Sequence, residues 1–100
     1  MSLVDFVRFR VSPSGAQSLL AARSRAIEAL RSRPGFRAGY LVELERGEWL
    51  DVMFWDGDEA VTESFRTGTD LPAVAAYVDL MAEVLGEERG VLIDGDALGE

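Results

Sequence analysis

The sequence predicts one α+β domain, an antiparallel four-stranded sheet with two helices on one face, and three observations carry that prediction. Apolar residues alternate with period two near the N-terminus and again through the middle of the chain. They recur at spacings of three and four in two other segments. The segments follow one another as strand, helix, strand, strand, helix, strand. With 100 residues and 48% hydrophobic content, the chain can build a single core. Residues 1–100 therefore read as one domain, with 96–100 a frayed tail.

The first strand is "LVDFVRFRV", residues 3–11, in which Leu3, Val7, Phe9 and Val11 are offset from Val4, Phe6, Arg8 and Arg10. In "SPSGAQ", either Ser12 ahead of Pro13 or Ser14 with Gln17 can cap a helix start, so a helix begins near residue 14. Its apolar positions are Ala16, Leu19, Leu20, Ala22, Ala26, Ile27 and Leu30. "RPGF", 33–36, ends it, because proline disfavours helical backbone at Arg33 and Gly35 supplies a permissive turn residue.

"FRAGYLVELERGEWLDVMFW", 36–55, reads as a hairpin turning at Arg46-Gly47, with Phe36, Ala38, Tyr40, Val42 and Leu44 on one face of its first strand. Its second strand is apolar on both sides: Trp49, Met53 and Trp55 flank Asp51 on one, and Leu50, Val52 and Phe54 form the other. Asp56 or Asp58 then caps a short helix carrying Ala60, Val61, Ser64 and Phe65 and ending at Gly68. "TDLPAVAAYVDLMAEVL" gives a second long helix whose stripe is Leu71, Val74, Ala75, Val78, Met81, Ala82 and Leu85. "GVLID", 90–94, makes a short fourth strand. That order is the split βαβ, ferredoxin-like arrangement.

Composition removes several kinds of function. Eighteen acidic residues against ten arginines give a net charge of -8, which repels phosphate backbones and anionic lipid, so no nucleic acid or membrane partner is expected. Without Cys or His the chain has no thiolate nucleophile, no thiolate metal site and no imidazole base. The acidic cluster Asp56, Asp58, Glu59 and Glu63 is what a helix start attracts, and no metal site is expected there. Glycines 90, 95 and 99 lack dinucleotide-binding spacing, and no cofactor is expected. No apolar run approaches the roughly 20 residues of a spanning helix, and Asp5 interrupts the first, so a cytoplasmic location is expected.

If both helices cover one sheet face, the strand that is apolar on both sides needs a second cover for Leu50, Val52 and Phe54. A symmetric homodimer packed through the sheet faces is the expectation.

"RPGFRAGYLVEL" followed by "EWLDVMFWDGDEAVTESF" resembles the antibiotic biosynthesis monooxygenase family of dimeric α/β barrels. The resemblance covers nearly the whole chain and rests on a proline-glycine-phenylalanine turn opening the second strand and a tryptophan with a polar helix start closing the third. It implies a hydrophobic, aromatic or polyketide-like molecule held between sheet and helices, and oxygenation without metal or flavin. In phenol-oxidising members an Asn stands four residues before the strand-end Trp and a Tyr six residues after it. Here Trp55 matches the Trp, Asp51 takes the Asn place and Val61 replaces the Tyr. The haem-degrading branch uses an Asn and a His, and this chain has neither residue type.

Asp51 and Trp55 are thus the candidate catalytic pair, Trp55 as wall and Asp51 as base. An ionised Asp51 accepts hydrogen bonds but cannot donate one as the Asn does. Set among Trp49, Met53 and Trp55, it is either a base raised by desolvation or a structural acid paired with Arg8 or Arg10. Candidate substrate contacts are Arg8 and Arg10 for an anionic group, Tyr40 and Tyr77 as hydrogen-bond donors, and Trp49, Met53, Val61 and Phe65 as apolar lining. A non-catalytic dimeric binding or assembly module of the same fold is the competing expectation.

Overall fold

The computed structural model describes residues 2–57, 59, 60, 62 and 71–95. Its elements are β1 (Leu3–Val11), α1 (Pro13–Leu30), β2 (Phe36–Glu43), a 3-10 turn (Glu45–Gly47), β3 (Glu48–Trp55), α2 (Pro72–Asp79) and β4 (Met81–Val91). The four strands form one antiparallel sheet in the order β2-β3-β1-β4, and both helices lie on one face, a ferredoxin-like α+β fold.

Ser12 caps α1: its Oγ accepts a hydrogen bond from the Gly15 amide at 3.1 Å, and Pro13 fills the first turn where no amide partner is needed. The buried stripe is Leu19, Ala22, Ala26 and Leu30, whereas Leu20 is 65% exposed and does not belong to it. Phe9, Leu19, Ala22, Ala26 and Tyr77 form one core cluster, and Leu3, Leu30 and Trp55 a second. Gly35 ends the α1 to β2 connection at φ 84, a left-handed backbone that glycine adopts without strain.

Cross-strand register fixes which residues share a face. Leu3, Val7 and Phe9 lie opposite Trp55, Asp51 and Trp49, so these six look toward the helices, together with Asp5 opposite Met53. Val4, Phe6, Arg8 and Arg10 lie opposite Phe54, Val52, Leu50 and Glu48 on the other face. In β2 the expected single stripe is broken: the register shifts between Phe36 and Ala38, which leaves Phe36 with Trp55 on the helix side and Ala38, Tyr40 and Val42 on the outer side.

The largest departure from the sequence reading is at the C-terminal end. The helix expected to reach Leu85 stops at Asp79, and the strand expected over 90–94 instead runs from Met81 to Val91. Pairing with β1 is interrupted by two register shifts, one between Arg8 and Phe9 and one between Arg10 and Val11, which leave Leu85 and Ala82 as extra residues in β4. Met81, Val84 and Glu87 therefore fall opposite the helix-facing Val11, Phe9 and Val7. A doubly bulged strand spaces its inward residues by three, and that spacing imitates a helix stripe.

The hairpin turns where expected. Arg46 and Gly47 both have positive φ, 63 and 73, and the Leu44 amide donates to the Glu48 carbonyl at 2.8 Å. The Asp56 side chain accepts from Arg37 at 2.8 Å and its amide donates to the Gly35 carbonyl. The short helix expected after it falls largely outside the described residues, with Glu59, Ala60 and Thr62 helical. Among the described residues no helix is long and apolar enough to cross a membrane.

Candidate functional site

Between α2 and the sheet lies a cavity of about 290 Å³. Its floor is the helix-facing row of β1 and β3, Asp5, Val7, Asp51, Met53 and Trp55, and its roof is α2, through Val74, Ala75, Tyr77 and Val78. Leu30 closes the end nearest α1, while Met81, Val84 and Glu87 of β4 form the open side. Val78 and Val84 are half exposed, which marks the mouth between α2 and β4. The lining is largely apolar, and its polar groups are few, Asp5 and Asp51 on the floor, Tyr77 on the roof and Glu87 at the open side, as in small-molecule sites generally.

Asp51 is 2% exposed and fully engaged. The Tyr77 hydroxyl donates a hydrogen bond to its Oδ2, and Arg23 Nη2 of α1 donates to its Oδ1 at 3.3 Å. Burial pushes the Tyr77 hydroxyl far above its usual range and the Asp51 charge pushes it further, so tyrosine keeps its proton and remains a donor. Arg23 reaches this point over Gly39, where a Cβ would come within 3.1 Å of its Nη2 and 2.9 Å of Ile27 Cδ1. The cation on Asp51 is therefore Arg23 and not Arg8 or Arg10. Those two have the wrong strand parity: they occupy the outer face, where Arg8 and Arg10 hold Glu48 at 3.1 and 3.0 Å and Arg10 also meets Glu83 at 3.3 Å.

Asp5, absent from the sequence-derived site, lies on the same floor. It is 4% exposed, and its Oδ1 accepts no hydrogen bond. Arg89 Nε is 3.8 Å away, close enough for attraction but not for a hydrogen bond. Burial, assisted by the Glu87 charge and opposed by Arg89, raises its pKa to about 6. The signal was available in the strand pattern: Asp5 shares parity with Leu3, Val7 and Phe9, so an amphipathic first strand necessarily turns this carboxyl inward.

The other expected contacts separate cleanly. Trp55 and Met53 line the cavity; Trp55 is 3% exposed and meets Phe36 edge to face at 5.1 Å, so it is wall and core at once. Tyr77 lines it from the roof. Trp49 shares the helix side but packs against the Phe9 cluster beyond the cavity. Tyr40 is on the outer face, 45% exposed and against Phe54, too far around the sheet to touch a molecule held here. Val61 and Phe65 lie outside the described residues.

A ferredoxin-like sheet with an apolar chamber under its second helix defines a class of small α+β folds. The solved structures it matches are more particular. No protein-family model matches the chain, and no curated protein matches it. The fold is that of the antibiotic biosynthesis monooxygenases. A Chloroflexus aurantiacus protein assigned to that family is 18% identical, with a TM-score of 0.73 over 99% of this chain and 100% of that one. A Bordetella bronchiseptica protein with the same assignment is 15% identical, with a TM-score of 0.78 over 92% and 97%. SnoaB, a cofactor-independent oxygenase from Streptomyces nogalater, is 18% identical, with a TM-score of 0.68 over 99% and 98%.

Proposed function

We propose that the chain binds a compact aromatic or polyketide-like molecule in the cavity beneath α2 and oxygenates it without metal or flavin. The observation that carries this reading is a largely apolar chamber with two buried carboxyls on its floor, a donor-poor site suited to taking a proton from carbon or oxygen. Its volume lies just below the roughly 300–1,000 Å³ of ligand pockets, a size for two or three fused rings. The likeness to SnoaB supports the reaction class.

The chemistry closes without a cofactor. A cavity carboxylate removes a proton from an activated CH2 or a phenol, the resulting anion gives an electron to dioxygen, and the two radicals combine as a peroxide anion. Protonation and loss of water then convert the CH2 to a carbonyl, so that one oxygen atom enters the product and the other leaves as water. The protein supplies enclosure and a proton acceptor; Trp55 and Met53 hold the ring system against the sheet.

A second copy of the chain completes the molecule in this reading. Phe6, Leu50, Val52 and Phe54 form a continuous apolar field on the outer sheet face, extended by Tyr40 and Val42, which are 45% and 42% exposed. Burying such a field at about 25 cal/mol per Å² is a substantial contribution for a domain of this size. Sedimentation equilibrium is expected to give twice the chain mass, and Val52→Arg to halve it.

Oxygen uptake in the presence of anthrones, naphthols and quinols tests the activity. Uptake with carbonyl formation, abolished by the cavity-filling Ala75→Phe, is the expected result. Binding without uptake would support the competing reading, a binding module, which is favoured by the commitment of Asp51 to Tyr77 and Arg23. Neither binding nor uptake would reject the site.

A further inference from the structure

We infer that Asp5 is the group that engages the polar end of the bound molecule and takes its proton, so that the site selects an aromatic hydroxyl compound and rejects anions. The inference rests on the cavity reading above and adds to it the identity of the acceptor and the charge class of the ligand.

Two carboxyls share the floor, and only one is available. Both oxygens of Asp51 already accept from Tyr77 and Arg23. Asp5 is equally buried, yet its Oδ1 has no hydrogen-bond donor, and a buried acceptor left in that state carries a desolvation penalty. Of its neighbours in the cavity, Val7, Met53 and Leu30 have no polar hydrogen to offer, and the Trp55 indole N–H makes no hydrogen bond to this oxygen. A ligand hydroxyl is the missing partner. In the chemical step the ligand O–H bond breaks, the Asp5 carboxylate gains the proton, and the phenolate keeps the electron pair.

The charges around the chamber set the ligand's sign. Those facing Asp5 are Glu87 and Arg89 on β4 and Asp51 on β3, the last held by Arg23 of α1 and Tyr77 of α2. Among the described residues, three carboxyls against two guanidiniums, each already near one of them, leave the chamber negative. A ligand carboxylate would add a fourth negative charge with no further cation among the cavity's described lining residues to receive it.

Three probes of one shape separate the possibilities: 2-naphthol, 2-methoxynaphthalene and 2-naphthoate, titrated against the wild-type chain and Asp5→Leu by calorimetry. At pH 7.5 the wild type is expected to bind naphthol at least about tenfold more tightly than the ether or the carboxylate, the usual effect of a hydrogen bond to a charged acceptor. In Asp5→Leu the ether should bind as well as before and naphthol no better than the ether. At pH 5, where Asp5 is protonated, the wild-type preference for naphthol should shrink. A naphthol preference that survives in Asp5→Leu, or naphthoate as the tightest ligand, overturns the assignment while leaving the cavity reading intact. Failure of all three to bind wild type overturns the cavity reading and this inference together.

Discussion

Asp5 and Asp51 sit on one sheet face, on adjacent strands, within a single cavity floor, yet their surroundings are opposite in kind. Asp51 stands where three elements converge: β3 carries it, α1 supplies Arg23 and α2 supplies Tyr77. Asp5 faces the edge strand β4, whose nearest cation stays beyond hydrogen-bond distance and whose Glu87 adds repulsion. Equal burial therefore does not mean equal role. The carboxyl with complete partners ties helices to sheet, and the one without them is held at a cost that a ligand can relieve.

Removing the anchored acid should do the most damage. Asp51→Ala strands the Arg23 guanidinium and the Tyr77 hydroxyl in the core, and a loss of about 3–5 kcal/mol is expected in urea unfolding at pH 7. If Asp51→Ala costs no more than a surface substitution, the contrast between the two sites disappears.

The opposite sign is expected at the other acid. Asp5 has a folded-state pKa near 6 against an ordinary 3.8, so the folded chain holds its proton more tightly than the unfolded chain, and ionisation costs stability as pH rises between those values. Asp5→Asn should thus be more stable than wild type by up to about 3 kcal/mol above pH 6, by conversion of the shift. That advantage should fade as pH drops toward 4. Unfolding midpoints of both chains across this range check the sign, and an Asn variant less stable at pH 7 than at pH 4 relative to wild type refutes it.

A smaller effect sharpens the comparison by acting on only one acid. Gly39→Ala places a methyl group against Ile27 and the Arg23 guanidinium, so overpacking of about 1–2 kcal/mol is expected. Loosening of Arg23 from Asp51 should leave the Asp5 pKa near 6, readable from the carboxyl carbon shift by NMR titration.

Much of this arrangement was legible in the sequence. The order of elements follows from the alternation in 3–11 and 36–55 and from the 3.6-residue stripe of α1, because each pattern has one dominant period. Alternation also places Asp51, Met53 and Trp55 on one side of β3, as the register shows. What was hidden depended on pairing. Arg23 is a helix residue in a polar-looking position, and nothing in its own segment reveals that Gly39 lets it down to the sheet. Arg8 and Arg10 are excluded from the chamber by the register that sets Val7 opposite Asp51, which a single strand cannot display. Residues 81–85 satisfy both helical and bulged-strand spacing, and only the ladder with β1 decides between them.

That ladder has a consequence for the chamber's evolution. β4 accommodates two more residues than a regular partner of β1 would need, and each surplus residue bends the strand where it is accommodated. Val84, at the mouth, lies between the two bends. The width of the entrance is accordingly governed by how many residues the edge strand contains as well as by their bulk, so insertions and deletions in one exposed segment can retune access while the acids on the floor stay where they are.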